Sequence, residues 1–136
     1  MLNNIEFLSN VPIFSDLDEE TLQKIAKSGV IQNYKKNSVI LSEEETGSAL
    51  FVIAEGKVKI SRSSGDDKEV ILAILNESDF FGEMSLLDGM SRSATVTAID
   101  DSKLFLIQRT EFLELLRKYP DVSVALLTEL TKRLRA

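Results

Sequence analysis

The 136-residue chain has no cysteine and no histidine. Those two absences exclude disulfides, thiolate iron–sulfur clusters, and haem held on His or Cys. A zinc ion would have carboxylates alone for ligands, a poor set for a structural site, so no metal is expected. Ser-His-Asp and Cys-His catalysis are excluded as well. Carboxylate and lysine chemistry remains open to an enzyme, but no pattern singles out such residues, and a non-enzymatic role is expected. Positive charge is in the minority, with 16 Lys and Arg against 22 Asp and Glu and a net charge of −6. Such a surface repels nucleic acid, so no direct nucleic-acid contact is expected. Any anion site must be built locally, against the overall field. No apolar run approaches the ~20 residues of a membrane helix. The start, MLNNIEFLSN, lacks the basic and apolar stretches of a signal peptide, so a cytoplasmic location is expected.

What is present is ordinary for one globular domain, with 43% hydrophobic and 28% charged residues. The periodicity changes twice along the chain. Asp16-Leu17-Asp18-Glu19 has the acidic first turn of a helix start, and Leu17, Leu22, Ile25 and Ala26 share a helical face. Gly29 is placed to end that helix, and Asn10 to Phe14 reads as a tight turn carrying apolar anchors. Short apolar or alternating runs follow at Val30–Tyr34, Ser38–Leu41, Leu50–Ala54, Val58–Ser61, Glu69–Leu75, Ala94–Ile99 and Leu104–Gln108. Turn residues separate them, which predicts an antiparallel sandwich, jelly roll or barrel. Several of these runs are apolar on both faces, which predicts cover on both sides.

The end turns helical again. Thr110 can cap a helix holding Phe112, Leu113, Leu116 and Tyr119, and Pro120 suits the first position of a second helix. Leu126, Leu127, Leu130 and Leu134 then form a stripe, either a dimer seam or the side packed on the barrel. Glu129 can pair with Arg133 four residues on. The helix is still amphipathic at Ala136, so a longer helix is expected. The predicted organisation is one domain over 1–136: an N-terminal helical segment at 1–28, a β-roll at 29–108 and C-terminal helices at 109–136.

One stretch carries chemistry: Phe81 to Val96, FGEMSLLDGMSRSATV. Gly82 allows a sharp bend or a close ligand approach. Glu83 to Leu87 can form one or two helical turns. The amides around Glu83, Met84 and Ser85 would then point outward and attract an anion. Asp88-Gly89 breaks the helix, and Arg92 returns on the lip of the next strand. A guanidinium facing helix N-terminal amides makes a phosphate site. An ionised Glu83 only accepts, so it repels phosphate but holds a hydroxyl. A ribose cyclic monophosphate carries both groups, and the small side chains of Ser85, Ser93 and Ala94 leave it room. The plainer reading pairs Glu83 with Arg92 as a structural ion pair. Glu43-Glu44-Glu45 and Ser64-Gly65-Asp66-Asp67 read as a solvated acidic turn and a hairpin loop.

The same stretch resembles the phosphate-binding cassette of cyclic nucleotide-binding domains, as in catabolite-activator-type regulators and cAMP-dependent kinase regulatory subunits. The pattern there is F-G-E-[ML]-[AS]-L-L, a spacer, then R-[STA]-A-[ST]-V. Asn10 to Leu17 resembles the family's opening turn, and Phe51 to Val58 resembles its Y-x-I-x-x-G-x-V strand pair. Two positions depart from it: Glu44 stands where Gly is frequent, and Phe51 replaces Tyr. The resemblance implies a β-roll or jelly-roll barrel flanked by helices, and a cytoplasmic sensor of a cyclic nucleotide. It implies that Glu83 accepts the ribose 2′-hydroxyl beside the Gly82 amide. Arg92, Ser93 and the backbone near Ser85 would bind the cyclic phosphate, while Ile60 and Leu72 pack the purine. Ser93 after Arg92 points to cAMP over cGMP. The implied partners are the nucleotide itself and a second copy of the chain through the C-terminal helix. Two other outputs stay open: the sensing part of a transcription regulator without its DNA-binding domain here, and a module that acts through protein contacts alone.

Overall fold

The computed structural model describes residues 4–42, 49–64, 68–83 and 94–135. It opens with helix α1 (Asn4–Ser9) and helix α2 (Glu19–Ser28). Eight strands follow: β1 (Gly29–Tyr34), β2 (Val39–Leu41), β3 (Ala49–Glu55), β4 (Val58–Ser64), β5 (Lys68–Leu75), β6 (Phe80–Phe81), β7 (Thr95–Ala98) and β8 (Ser102–Gln108). Helices α3 (Arg109–Lys118) and α4 (Pro120–Arg135) close the described chain.

The local signals explain most of these boundaries. Asp18 is the α2 N-cap, and its Oδ1 accepts from the Thr21 amide at 2.8 Å. Leu22 and Ile25 are the buried stripe of that helix, and the chain turns extended at Gly29. Between α1 and α2, Val11, Ile13 and Phe14 are almost wholly buried, which makes the predicted turn an anchor of the core. Pro120 begins α4, where its missing N–H costs nothing. One boundary differs from the sequence expectation. Strand β8 runs straight into α3 with Gln108 as N-cap and no side-chain cap bond, so Thr110 lies inside the helix and does not cap it.

The strands form two antiparallel sheets, ordered β1-β8-β3-β6 and β2-β7-β4-β5. Strand β3 sits between two cores. Leu50, Val52 and Ala54 join Phe14, Ile25, Phe80, Phe105, Phe112, Val122 and Leu126 in a helix-side core. Ala49, Phe51 and Ile53 join Leu41, Val58, Phe81, Val96, Leu104 and Leu106 in a roll-side core. A period of two with both faces covered explains why ALFVIA is continuously apolar. Adjacent Phe80 and Phe81 divide between these cores, and Phe81 stacks on Phe51 with ring centroids 4.9 Å apart.

The second sheet is half covered. Ile60 pairs with Ala73 and Ser61 with Ile71, so Leu72 is the extra residue of a β-bulge. Val70, Ile71, Leu72 and Ile74 stay about half exposed on β5. The leucine stripe of α4 is also divided: Leu126 is buried and Leu130 packs on the helix-side core, whereas Leu127 and Leu134 are exposed. The acidic turn at 43–45 and the hairpin tip at 65–67 lie outside the described residues. Among the described residues no helix is long and apolar enough to cross a membrane.

Candidate functional site

The chain reaches the site from β5 through a tight turn. The Asn76 amide donates to Asp79 Oδ2 at 2.9 Å, and Ser78 adopts a positive φ of 74°. That turn is stitched to the centre of the first sheet. Ser78 N donates to Ile53 O at 2.8 Å, and Ile53 N donates to Asp79 O at 2.9 Å. Strand β6 then pairs with β3, Phe80 opposite Val52 and Phe81 opposite Phe51. Gly82 follows with φ at 93°, a backbone that side chains resist. This turn delivers Glu83 inward, leaving it only 5% exposed.

A buried carboxylate needs a partner, because desolvating an unpaired charge is far costlier than pairing it. The partner is Arg133, from the last turn of α4, fifty residues away in sequence. Its Nη1 donates to Glu83 Oε1 at 2.7 Å, and its Nη2 donates to the Phe80 carbonyl at 2.7 Å. The guanidinium carbon also lies 4.1 Å from the centroid of the Phe80 ring. The planar fork of arginine suits this double contact, which a lysine ammonium would not reproduce.

Arg133 is the member of this cluster that sequence reasoning missed. The expected Glu129–Arg133 pair does not form. Glu129 instead takes Lys132 at 3.3 Å, on the exposed side of the helix. The available signal was helical spacing. Val122, Leu126, Leu130 and Arg133 follow one another at i+4, i+4 and i+3, which sets the cation on the packed face.

The remaining predicted residues are distributed as follows. Ile60 lies on β4, partly buried against the roll-side core and paired with Val96 of β7. Leu72 sits at the bulge of the neighbouring β5, and Ala94 immediately precedes β7. Thr95, Ser61 and Ile71 are cross-strand neighbours, so the sheet brings Ile60, Leu72 and Ala94 to one neighbourhood of the β7-β4-β5 strands. Gly82 and Glu83 enter from the end of β6 in the other sheet. Met84, Ser85, Arg92 and Ser93 lie outside the described residues. Among the described residues no cluster of three or more carboxylates offers a metal site.

The arrangement is a small antiparallel roll between helices, with a buried, paired carboxylate just after β6 and half-exposed apolar positions on β5. Comparison with known proteins gives that arrangement a family. Residues 31–119 match the family model described as the cyclic nucleotide-binding domain. The chain belongs to that family. It is 35% identical over 124 residues to the cyclic AMP receptor protein of Thermus thermophilus, covering 91% of this chain and 57% of that protein. It is 34% identical over 127 residues to human cGMP-dependent protein kinase 2, covering 88% of this chain and 17% of the kinase. The crystal structure of the Thermus thermophilus catabolite activator protein superposes with a TM-score of 0.84 at 35% identity, over 91% of this chain and 58% of that one. This chain thus spans little more than half the length of the receptor-type relative. The jelly-roll fold with flanking helices is shared with it.

Proposed function

We propose that this domain is a non-catalytic sensor that binds cAMP and relays binding through its C-terminal helices. One observation carries the reading: Glu83, the expected ribose acceptor, is buried and held by Arg133 of α4. The same contact therefore belongs to the ligand site and to the output helix. In the bound complex Glu83 accepts the ribose 2′-hydroxyl beside the Gly82 amide. Arg92 neutralises the cyclic phosphate, with Ser93 and the Met84 and Ser85 amides as further donors. Ile60, Leu72 and Ala94 form the apolar ground for the purine. Relatives named for cAMP and for cGMP support the cyclic purine class, and Ser93 after Arg92 favours cAMP.

Binding changes the relative weight of α4 positions, which is a population shift at a helix hinge. A receptor for that movement is a second copy of the chain. Val124, Leu127 and Leu134 are 61%, 63% and 85% exposed along the outer side of α4, an apolar line suited to pairing. The net charge of −6 gives this domain no electrostatic case for nucleic acid or an anionic membrane. The working division of the chain is sensing by the roll at 29–108 and response by 1–28 with 109–136.

Titration calorimetry with cAMP, cGMP and 5′-AMP tests the reading, with Arg92→Ala as control. The expected result is binding of a cyclic nucleotide that 5′-AMP does not match and that Arg92→Ala loses. An Arg92→Ala protein that binds as the parent does would remove the phosphate assignment. No binding of any cyclic nucleotide to the parent would remove the sensor itself.

A further inference from the structure

We propose that Phe80 is a positioning residue of the nucleotide site, holding the Arg133 guanidinium in the one orientation that presents Glu83 to a ligand hydroxyl. The inference rests on the cyclic-nucleotide reading and assigns a specificity role to a residue outside the cassette's ligand contacts. Arg133 arrives on a long side chain from the last turn of a helix, a place where helices fray. Its side chain is 34% exposed, so solvent is an available alternative to the site. An ion pair alone fixes distance better than orientation. Among the described residues, two of the three contacts on the guanidinium come from one residue: the Phe80 carbonyl takes Nη2 at 2.7 Å, and the Phe80 ring lies under the planar group at 4.1 Å. The third is Glu83 itself at 2.7 Å.

Phe80 is suited to this because it is itself immobile. It is 2% exposed in the helix-side core, and its strand position is paired with Val52 of β3. The negative face of its ring attracts a cation, and an aliphatic side chain of similar size has no such face. Only Phe81 and Gly82 separate this platform from Glu83 along the chain. The ring therefore links the core, the last helix and the acceptor carboxylate within one tight cluster.

The readout is the ratio of affinities for cAMP and 2′-deoxy-cAMP. Glu83 can bond only the nucleotide that has the 2′-hydroxyl, so its orientation moves the ratio. General loosening of the core weakens both nucleotides alike and leaves the ratio in place. Phe80→Leu keeps the burial and the carbonyl and removes the ring; Phe80→Met does the same with an unbranched side chain. In each, the ratio is expected to fall about tenfold while circular dichroism shows a retained fold. Arg133→Lys, on the exposed helix end, should lower the ratio similarly, and adding Phe80→Leu to it should lower it little further. An unchanged ratio in a folded Phe80 variant overturns the inference and leaves the sensor reading intact. So do full, additive losses in the double variant. If the parent protein binds neither nucleotide, both readings fall together.

Discussion

The two sheets are built from similar residues and used differently. Strand β3 is buried along six of its seven residues, with one core on each face. Strand β5, KEVILAIL, is as apolar in its centre, yet Val70, Leu72 and Ile74 remain 49–51% exposed. Composition cannot distinguish these strands, since each is a run of β-formers. Position in the sheet does: β3 lies between β8 and β6 under the helices, whereas β5 has one neighbour, β4, among the described strands. The first sheet thus works as scaffold, and its stability is spent holding β6 and Glu83 in place. The second leaves apolar surface half exposed on a strand interrupted by a bulge, the surface proposed above for the purine.

The largest expected effects come from making the same substitution in both sheets. Leu104 of β8 is fully buried, so Leu104→Ala leaves a cavity and should destabilise by about 2–5 kcal/mol. Leu72 is 50% exposed at an unpaired bulge position, so Leu72→Ala should cost about 1 kcal/mol or less. Urea unfolding at constant slope measures both. The order should reverse in cAMP affinity: Leu72→Ala weakens binding, and folded Leu104→Ala binds nearly as the parent does. Equal destabilisation by the two substitutions would erase the distinction between scaffold and platform.

A second contrast lies across α4, at intermediate magnitude. Leu126 is 3% exposed and Leu127 63% exposed, so adjacent leucines face the core and the outside. Leu127→Glu should change monomer stability by about 0.5 kcal/mol or less, as surface substitutions generally do. It should also shift the protein from dimer to monomer in sedimentation experiments. Parent protein that sediments as a monomer at all concentrations would exclude the second copy as partner.

The contrast also marks what was legible beforehand. Strands of three or more residues announce themselves as alternating or continuously apolar runs between turn residues, and Asp18, Gly29 and Pro120 punctuate helices through local chemistry. Helix α1 has six residues and β6 has two, too few for a period to stand out. Thr110 looked like a cap because capping chemistry is local, but the strand fed directly into the helix and left Gln108 at that position. The bulge at Leu72 depends on how β4 pairs, which no single strand encodes. Glu83 was identifiable from its motif, whereas its partner Arg133 resembled any basic residue closing a helix. The pairing is a tertiary contact, and sequence alone showed only that Arg133 continued the packed spacing.

The smallest effects separate the carboxylates themselves. Glu83 is buried and paired, whereas Asp18 caps α2 at the surface, its Oδ1 accepting from the Thr21 amide at 2.8 Å. Hydrogen bonds from Thr21 hold the Asp18 carboxyl below its ordinary value of 3.8. Likewise, hydrogen bonds from Lys59 and Ser61 hold Glu69 below its ordinary value of 4.5. A carboxyl lowered on folding contributes stability that is in place above its unfolded value and is lost as pH falls through the folded one. Both contributions should therefore be complete near neutral pH and fade in the acid range, below about pH 4. Asp18→Asn keeps a good cap but removes the titrating group. Its melting temperature should match the parent's at low pH and fall slightly short of it near neutrality, giving a shallower acid limb. Parallel curves for the two proteins would show that the ionised form of Asp18 contributes nothing beyond the neutral cap, and would leave Glu69 as the lowered carboxyl behind the acid limb.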